Sequence, residues 1–139
     1  MKHLHIDPAT VEALLNAREW PCERIAETTW RSRARGMAGS FPFLIHLDRE
    51  GFISFAVVPF TTSPESKAAS ARLYRRLLEL NHGLLMAKFS IDDDLDVVLS
   101  VEYPTAELDA SEFRDAVDVL TYYADRYHDE LTNLTKLES

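Results

Sequence analysis

Residues 41–60, Phe41-Pro42-Phe43-Leu44-Ile45-His46-Leu47-Asp48-Arg49-Glu50-Gly51-Phe52-Ile53-Ser54-Phe55-Ala56-Val57-Val58-Pro59-Phe60, hold two apolar runs around one polar tetrad. Asp48-Arg49-Glu50-Gly51 is turn chemistry with glycine at its close, so the runs predict a hairpin of strands 41–47 and 52–60. Neither run alternates cleanly. Phe41, Phe43, Ile45 and Leu47 share one face, while Leu44 adds apolar surface to the other. In the second run Phe52, Ala56 and Val58 oppose Ile53, Phe55 and Val57. A strand apolar on both sides is expected to be covered on both sides. Each extra buried Phe or Ile is worth roughly 1.5–3 kcal/mol, too much to leave idle in water. The second cover is the middle helix, a second copy of the chain or a client, and the residues leave the three open.

Upstream, residues 23–35 alternate as a single strand, with Thr28, Trp30 and Ser32 on one side and Arg31, Arg33 and Arg35 on the other. Asp7-Pro8 is a helix start, Asp capping and Pro preset at the first helical position, with Val11, Leu14 and Leu15 as its stripe. Downstream, Ser63-Pro64-Glu65-Ser66 opens a second helix. Its expected apolar side is Ala71, Tyr74, Leu77 and Leu78, widened by Leu73 and Leu80. Arg72, Arg75 and Arg76 lie opposite, and Gly83 ends it. Strands 85–91 and 95–103 form a second hairpin with Ala87, Phe89, Ile91, Leu95, Val97, Leu99 and Val101 inward. Asp109-Ala110-Ser111-Glu112 is a capping-box start for the last helix, whose seam is Phe113, Val117, Leu120, Ala124, Tyr127 and Leu131. The order α-β-β-β-α-β-β-α predicts an α+β domain with a five-stranded antiparallel sheet over residues 7–131, with loose ends at 1–6 and 132–139.

The stretch Leu77-Leu78-Glu79-Leu80-Asn81-His82-Gly83 continues through Ala87-Lys88-Phe89-Ser90-Ile91-Asp92, Val97-Val98-Leu99, Tyr103-Pro104 and Ala124-Asp125-Arg126-Tyr127. Together these residues resemble the YbjN-like family of bacterial sensory transduction regulators. That family is similar in fold to the class I type III secretion chaperones. The resemblance covers residues 64–131 well and 1–63 only in element order. It implies a non-enzymatic regulatory or chaperone-like protein, often dimeric, and carries over no functional residue.

The chain has 139 residues, 46% apolar and 27% charged, ordinary for one globular domain. Net charge is −8, unevenly spread: residues 1–88 carry +3 and residues 89–139 carry −11. An acidic second half repels phosphate backbones and anionic lipid, so neither nucleic acid nor membrane is an expected partner. Without a leader-like apolar stretch at the N-terminus, or any run near the roughly 20 residues of a membrane helix, the expected compartment is the cytoplasm. Cys22 is the single cysteine, so no internal disulfide exists.

The chemistry-bearing residues are sparse. His3 and His5 could hold a divalent metal but lack the third ligand a zinc site needs. Asp92, Asp94 and Asp96 have calcium-loop spacing, yet Val97 stands where that loop requires glycine and Tyr103 where it requires Glu; a solvated turn is expected. Cys22 with His46, His82 or His128 lacks any nucleophile signature, and four glycines give no phosphate loop. No metal, cofactor or catalytic residue is expected. Arg31, Arg33 and Arg35 could receive an acidic segment, or single-stranded nucleic acid with Trp30 for stacking, but alternation sends Trp30 to the opposite face. The alternative is that they pair with Glu23, Glu27 or the acidic C-terminal helix.

The expected function is therefore protein–protein binding, with a protein client and a second copy of the chain as partners. Phe52, Phe55, Tyr74 and Leu77 are the expected anchors, and Arg31, Arg33 and Arg35 the orienting charges. The competing expectation is a small-molecule sensor with a pocket near Trp30, Tyr122 and Tyr123.

Overall fold

In a computed structural model, residues 7–17, 20–106 and 108–136 are described. His3 and His5 lie outside them. The elements are α1 (Pro8–Ala17), β1 (Glu23–Ala26), β2 (Thr29–Gly36), β3 (Gly39–Leu47), β4 (Phe52–Thr62), α2 (Lys67–Gly83), β5 (Lys88–Ile91), β6 (Asp96–Pro104) and α3 (Ala110–Thr135). One antiparallel sheet runs β1-β2-β3-β4-β6-β5.

The sheet has six strands where five are expected. Residues 23–35 break at Glu27-Thr28 into a tight hairpin, Glu23 opposite Arg31 and Ala26 opposite Thr29. The turn has no glycine, proline or asparagine, so period-2 alternation runs straight across it. The β3–β4 hairpin forms as expected: Phe43 faces Val57, Ile45 faces Phe55 and Leu47 faces Ile53. Its turn is tied by the Asp48 carboxylate, which accepts the N–H groups of Glu50 and Phe52 at 2.8 and 3.0 Å, while Gly51 takes the φ of +91° that the turn requires.

One sheet face is the core. Trp30, Ala34, Phe43, Ile45, Ile53, Phe55, Val57, Val97, Leu99 and Val101 are buried on it, under all three helices. The alternation beneath is regular, β2 and β3 burying every second residue. Between Val57 and Thr61 the β4–β6 register slips, at the place where Pro59 has no N–H to give the ladder. The slip turns Phe60 into the core, 5.2 Å from Phe89 and 5.5 Å from His128 by ring centroid.

The last helix carries the capping box expected at Asp109, and buries Phe113, Ala116, Leu120, Ala124 and Leu131. It runs to Thr135, past the point where a loose tail is expected. Its Asp125 reaches the β2–β3 turn, accepting the N–H groups of Met37 and Ala38 at 2.9 and 2.8 Å. The middle helix begins three residues later than Ser63-Pro64 suggests. Ser66 is its N-cap, accepting the Ala69 N–H, and Ser63 is occupied by the Tyr74 hydroxyl at 2.7 Å. Its buried side is Ala69, Leu73, Leu77 and Leu80; Ala71 and Leu78 point to solvent. The β5 strand starts at Lys88 rather than Leu85.

Candidate protein-binding surface

The other sheet face has no helix on it among the described residues. Its composition follows from the strand period: whatever alternates with the core points here. On β2 that is Arg31, Arg33 and Arg35, all exposed. Register places Leu44 beside Arg31 and Pro42 beside Arg33, then Ala56 beside Leu44 and Ser100 beside Ala56. Leu44, Pro42, Ala56, Val58 and Val98 are all half-buried, shielded by neighbouring side chains and not by a second layer. The centre of this open face is apolar, its β2 flank basic.

The three arginines are not equivalent. Arg31 donates to Glu23 at 2.9 Å, an exposed pair worth little to stability. Arg33 is held along its own strand pair, its Nε 2.7 Å from Ser40 Oγ and its Nη2 3.1 Å from the Ser40 carbonyl. Arg35 has no partner among the described residues. Beside Arg31 and Arg33, where β1 begins, lies a cavity of about 700 Å³ lined also by Pro21, Cys22, Glu23, Ser32 and Pro42. Across the sheet, Lys88 meets Glu102 at 2.5 Å.

The expected anchors separate. Phe52 lies on the open face, 43% exposed and opposite Pro104. Phe55 is fully buried, its ring 5.0 Å from Phe113 and 6.5 Å from Phe43. Leu77 is 4% exposed in the core, and Tyr74 is half-buried with its hydroxyl on Ser63. Phe55 and Leu77 therefore hold the fold together and cannot reach a partner without unfolding it. Both faces of β4 are apolar in the sequence, so alternation separates Phe52 from Phe55 without saying which of them the helices cover.

A second apolar area contains Tyr122 and Tyr123, two of the three residues expected around a sensor pocket. Leu85, Met86, Val119, Tyr122 and Tyr123, with Asp118, line a groove of about 360 Å³ between the α2–β5 connection and α3. Leu85 is 75% and Met86 56% exposed, and the Leu85 N–H is held by the Tyr123 hydroxyl at 3.1 Å. The signal is Leu84-Leu85-Met86, three apolar residues in a row after the helix, which cannot all turn inward. Trp30 is absent from this groove; it is buried beside α1, its Nε1 donating to Glu12 at 3.2 Å.

The remaining candidates are engaged in structure. Asp92, Asp94 and Asp96 converge within 4.8 Å at the β5–β6 turn, where Asp92 accepts the N–H groups of Asp94 and Asp96. Burial pushes the half-buried Cys22 thiol above its ordinary pKa, the opposite of an activated nucleophile. His46 bonds Thr29, and His128 lies against the rings of Phe41 and Phe60.

An antiparallel six-stranded sheet layered by helices on one side is an α+β architecture. The chain belongs to the YbjN family, described as "Putative bacterial sensory transduction regulator", whose profile matches residues 7–133. Its fold is similar to YbjN from E. coli (12% identity, TM-score 0.66, 93% of this chain and 96% of that one). It is similar also to a chain of the heterodimeric ExoU–SpcU complex of the Pseudomonas aeruginosa type III secretion system (20% identity, TM-score 0.58, 89% and 96%). A chain of the HopA1–SchA chaperone–effector complex shares the fold at 12% identity, with TM-score 0.59 over 84% and 88%. At these identities the likeness is one of fold. No curated protein matches the sequence. Among the described residues, no helix is long and apolar enough to cross a membrane.

Proposed function

We propose that this protein is a non-enzymatic binding domain, chaperone-like or regulatory, that receives another polypeptide on its open sheet face. The observation that carries it is the half-buried apolar centre formed by Pro42, Leu44, Ala56, Val58 and Val98, left without a helix above it. The apolar side chains there gain from being covered, and a sheet face of alternating side chains suits an extended chain. The complexes named among its structural relatives, one of them a chaperone with its effector, support a protein as the occupant. The single cysteine, Cys22, is a free thiol, which is compatible with the cytoplasm, where we place the protein.

We propose further that two copies associate through the groove of Leu85, Met86, Val119, Tyr122 and Tyr123, which lies beside the α2–β5 connection. This leaves the open faces free for clients. A second reading, a small-molecule sensor, is favoured by the same groove, whose 360 Å³ falls in the range of ligand pockets. A metabolite that raises the melting temperature only when Tyr122 is intact would support the sensor.

The test of the main reading is Leu44→Glu combined with Ala56→Glu. Both positions lie on the open face, so the fold should persist by circular dichroism while a stoichiometric partner captured by the wild type is lost. Full retention of that partner by a folded double variant would remove the open face as the binding surface.

A further inference from the structure

We infer that the column of Arg31, Arg33 and Arg35 selects the partner: the open face takes an extended protein segment carrying carboxylates at every second residue. The inference rests on the open face being the protein-binding surface and adds the chemistry of what lies on it.

Charge is the first argument. On β1–β3 this face carries three arginines against one carboxylate, Glu23, a local surplus of two positive charges in a chain of net charge −8. The surplus is not consumed internally. Glu23 engages Arg31, Arg33 is oriented by Ser40, and Arg35 remains unpaired among the described residues. A guanidinium already oriented by a neighbour loses little freedom when a carboxylate arrives, and Arg suits that pairing better than Lys.

Spacing is the second. Arg31, Arg33 and Arg35 repeat at the two-residue period of a strand, roughly 6.7 Å. An extended segment laid along β2 presents its own alternate side chains at the same repeat, so carboxylates at i, i+2 and i+4 meet the three guanidiniums in register. A helix, whose facing residues come every three or four positions, does not match. The cavity beside Arg31 and Arg33, lined by Pro21, Cys22 and Pro42, admits an apolar side chain at one end of the column.

Two other occupants fit less well. A nucleic-acid strand needs stacking platforms between its phosphate contacts, and the aromatic nearest in sequence, Trp30, is buried on the other face. A second copy could offer the acid-rich α3, but α3 lies on the opposite side of the sheet from the arginines. Copy-on-copy binding would then be head-to-tail and open-ended rather than a closed pair.

The experiment titrates the full chain into a fluorescein-labelled peptide of alternating Glu and Thr, followed by anisotropy. Controls are the Gln/Thr peptide and an oligo-dT of equal length. Binding of the Glu peptide is expected, with the Gln peptide at least tenfold weaker and affinity falling as salt rises. Arg35→Glu is expected to weaken it at least fivefold and Arg35→Lys by less. Arg35 makes no bond among the described residues, so its variants should fold, and a melting curve verifies this. Arg33→Glu should act in the same direction. No binding of the Glu peptide, equal binding of the Gln peptide, or indifference to Arg35→Glu would overturn the inference. Tighter binding of oligo-dT through the same arginines would also overturn it, assigning a nucleic acid instead. Loss of the natural partner in the Leu44→Glu, Ala56→Glu variant but not in Arg35→Glu would leave the function standing and remove only this selectivity.

Discussion

Gly36 closes β2, and a methyl group built on its Cα would lie 2.3 Å from an oxygen of Asp125. That oxygen is not free to move away: the carboxylate holds the N–H groups of Met37 and Ala38. Gly36→Ala is therefore expected to cost about 1–2 kcal/mol, by displacing the carboxylate and not by backbone strain. If so, the two sites couple. In an Asp125→Ala background the same substitution should cost under about 0.5 kcal/mol, measured by urea unfolding as a double-mutant cycle. The pairing is illegible in the sequence, since 88 residues separate the partners and neither carries a local signature. At the other end of α3, Asp109 is held below its ordinary pKa of 3.8, first by the hydrogen bond from Ser111, then by the N–H of Glu112. A depressed carboxylate contributes stability that is present above the unfolded-state pKa and disappears as pH falls through the folded one. The melting-temperature gap between wild type and Asp109→Ala should be constant from pH 6 to 8 and close below about pH 4. A gap that persists at pH 2 would mean the cap is not what Asp109 supplies.

At the scale of elements, α2 shows how a helix chooses among too many apolar residues. Leu73, Tyr74, Leu77, Leu78 and Leu80 span a wide arc, and from the pattern alone either edge of it can face inward. The sheet decides: Asn81 bonds both the N–H and the carbonyl of Phe89, fixing the helix end over β5, and this rotation buries Leu77 while leaving Leu78 70% exposed. Leu77→Ala should cost about 2–4 kcal/mol and Leu78→Glu less than about 0.5 kcal/mol in chemical denaturation. Comparable losses at the two positions would show the helix turned from its described orientation. The same limit explains the strand count. Local alternation separates the two faces of β2, β3 and β4 as far as Val57, because the period of two is local; Phe60 enters the core only through the register slip beyond Val57. The break at Glu27-Thr28 depends on β1 pairing back onto β2, which no residue in the turn announces. Arg31, Arg33 and Arg35 were legible as a column because alternation is local, whereas which face of β4 turns inward was not, since both are apolar. That Phe55 lies beneath α3, and that no helix covers Leu44, are properties of where the helices dock.

For the whole molecule, the distribution of apolar surface separates two jobs. All three helices crowd one side of the sheet, so the side with Leu44 and Ala56 is available to a client, while the helix side offers only the groove beside β5 to a second copy. The groove by itself is small. Six lining residues bury far less than the roughly 1,600 Å² of a standard stable interface. The edge strand β5 adds little to it, because the N–H and carbonyl of Phe89 are already held by Asn81. The rest of the contact would then come from the exposed side of α3 around Tyr122, paired across a two-fold axis. Light scattering on a sizing column should give about twice 15.9 kDa at micromolar concentration. Leu85→Glu with Met86→Glu places charge in the groove without touching the core, and should return a folded 15.9 kDa species. Leu44→Glu, on the other side of the sheet, should leave the mass of the wild type unchanged. A wild type that is 15.9 kDa at high micromolar concentration would end the dimer while leaving the open face untouched, because the two surfaces lie on opposite sides of the sheet.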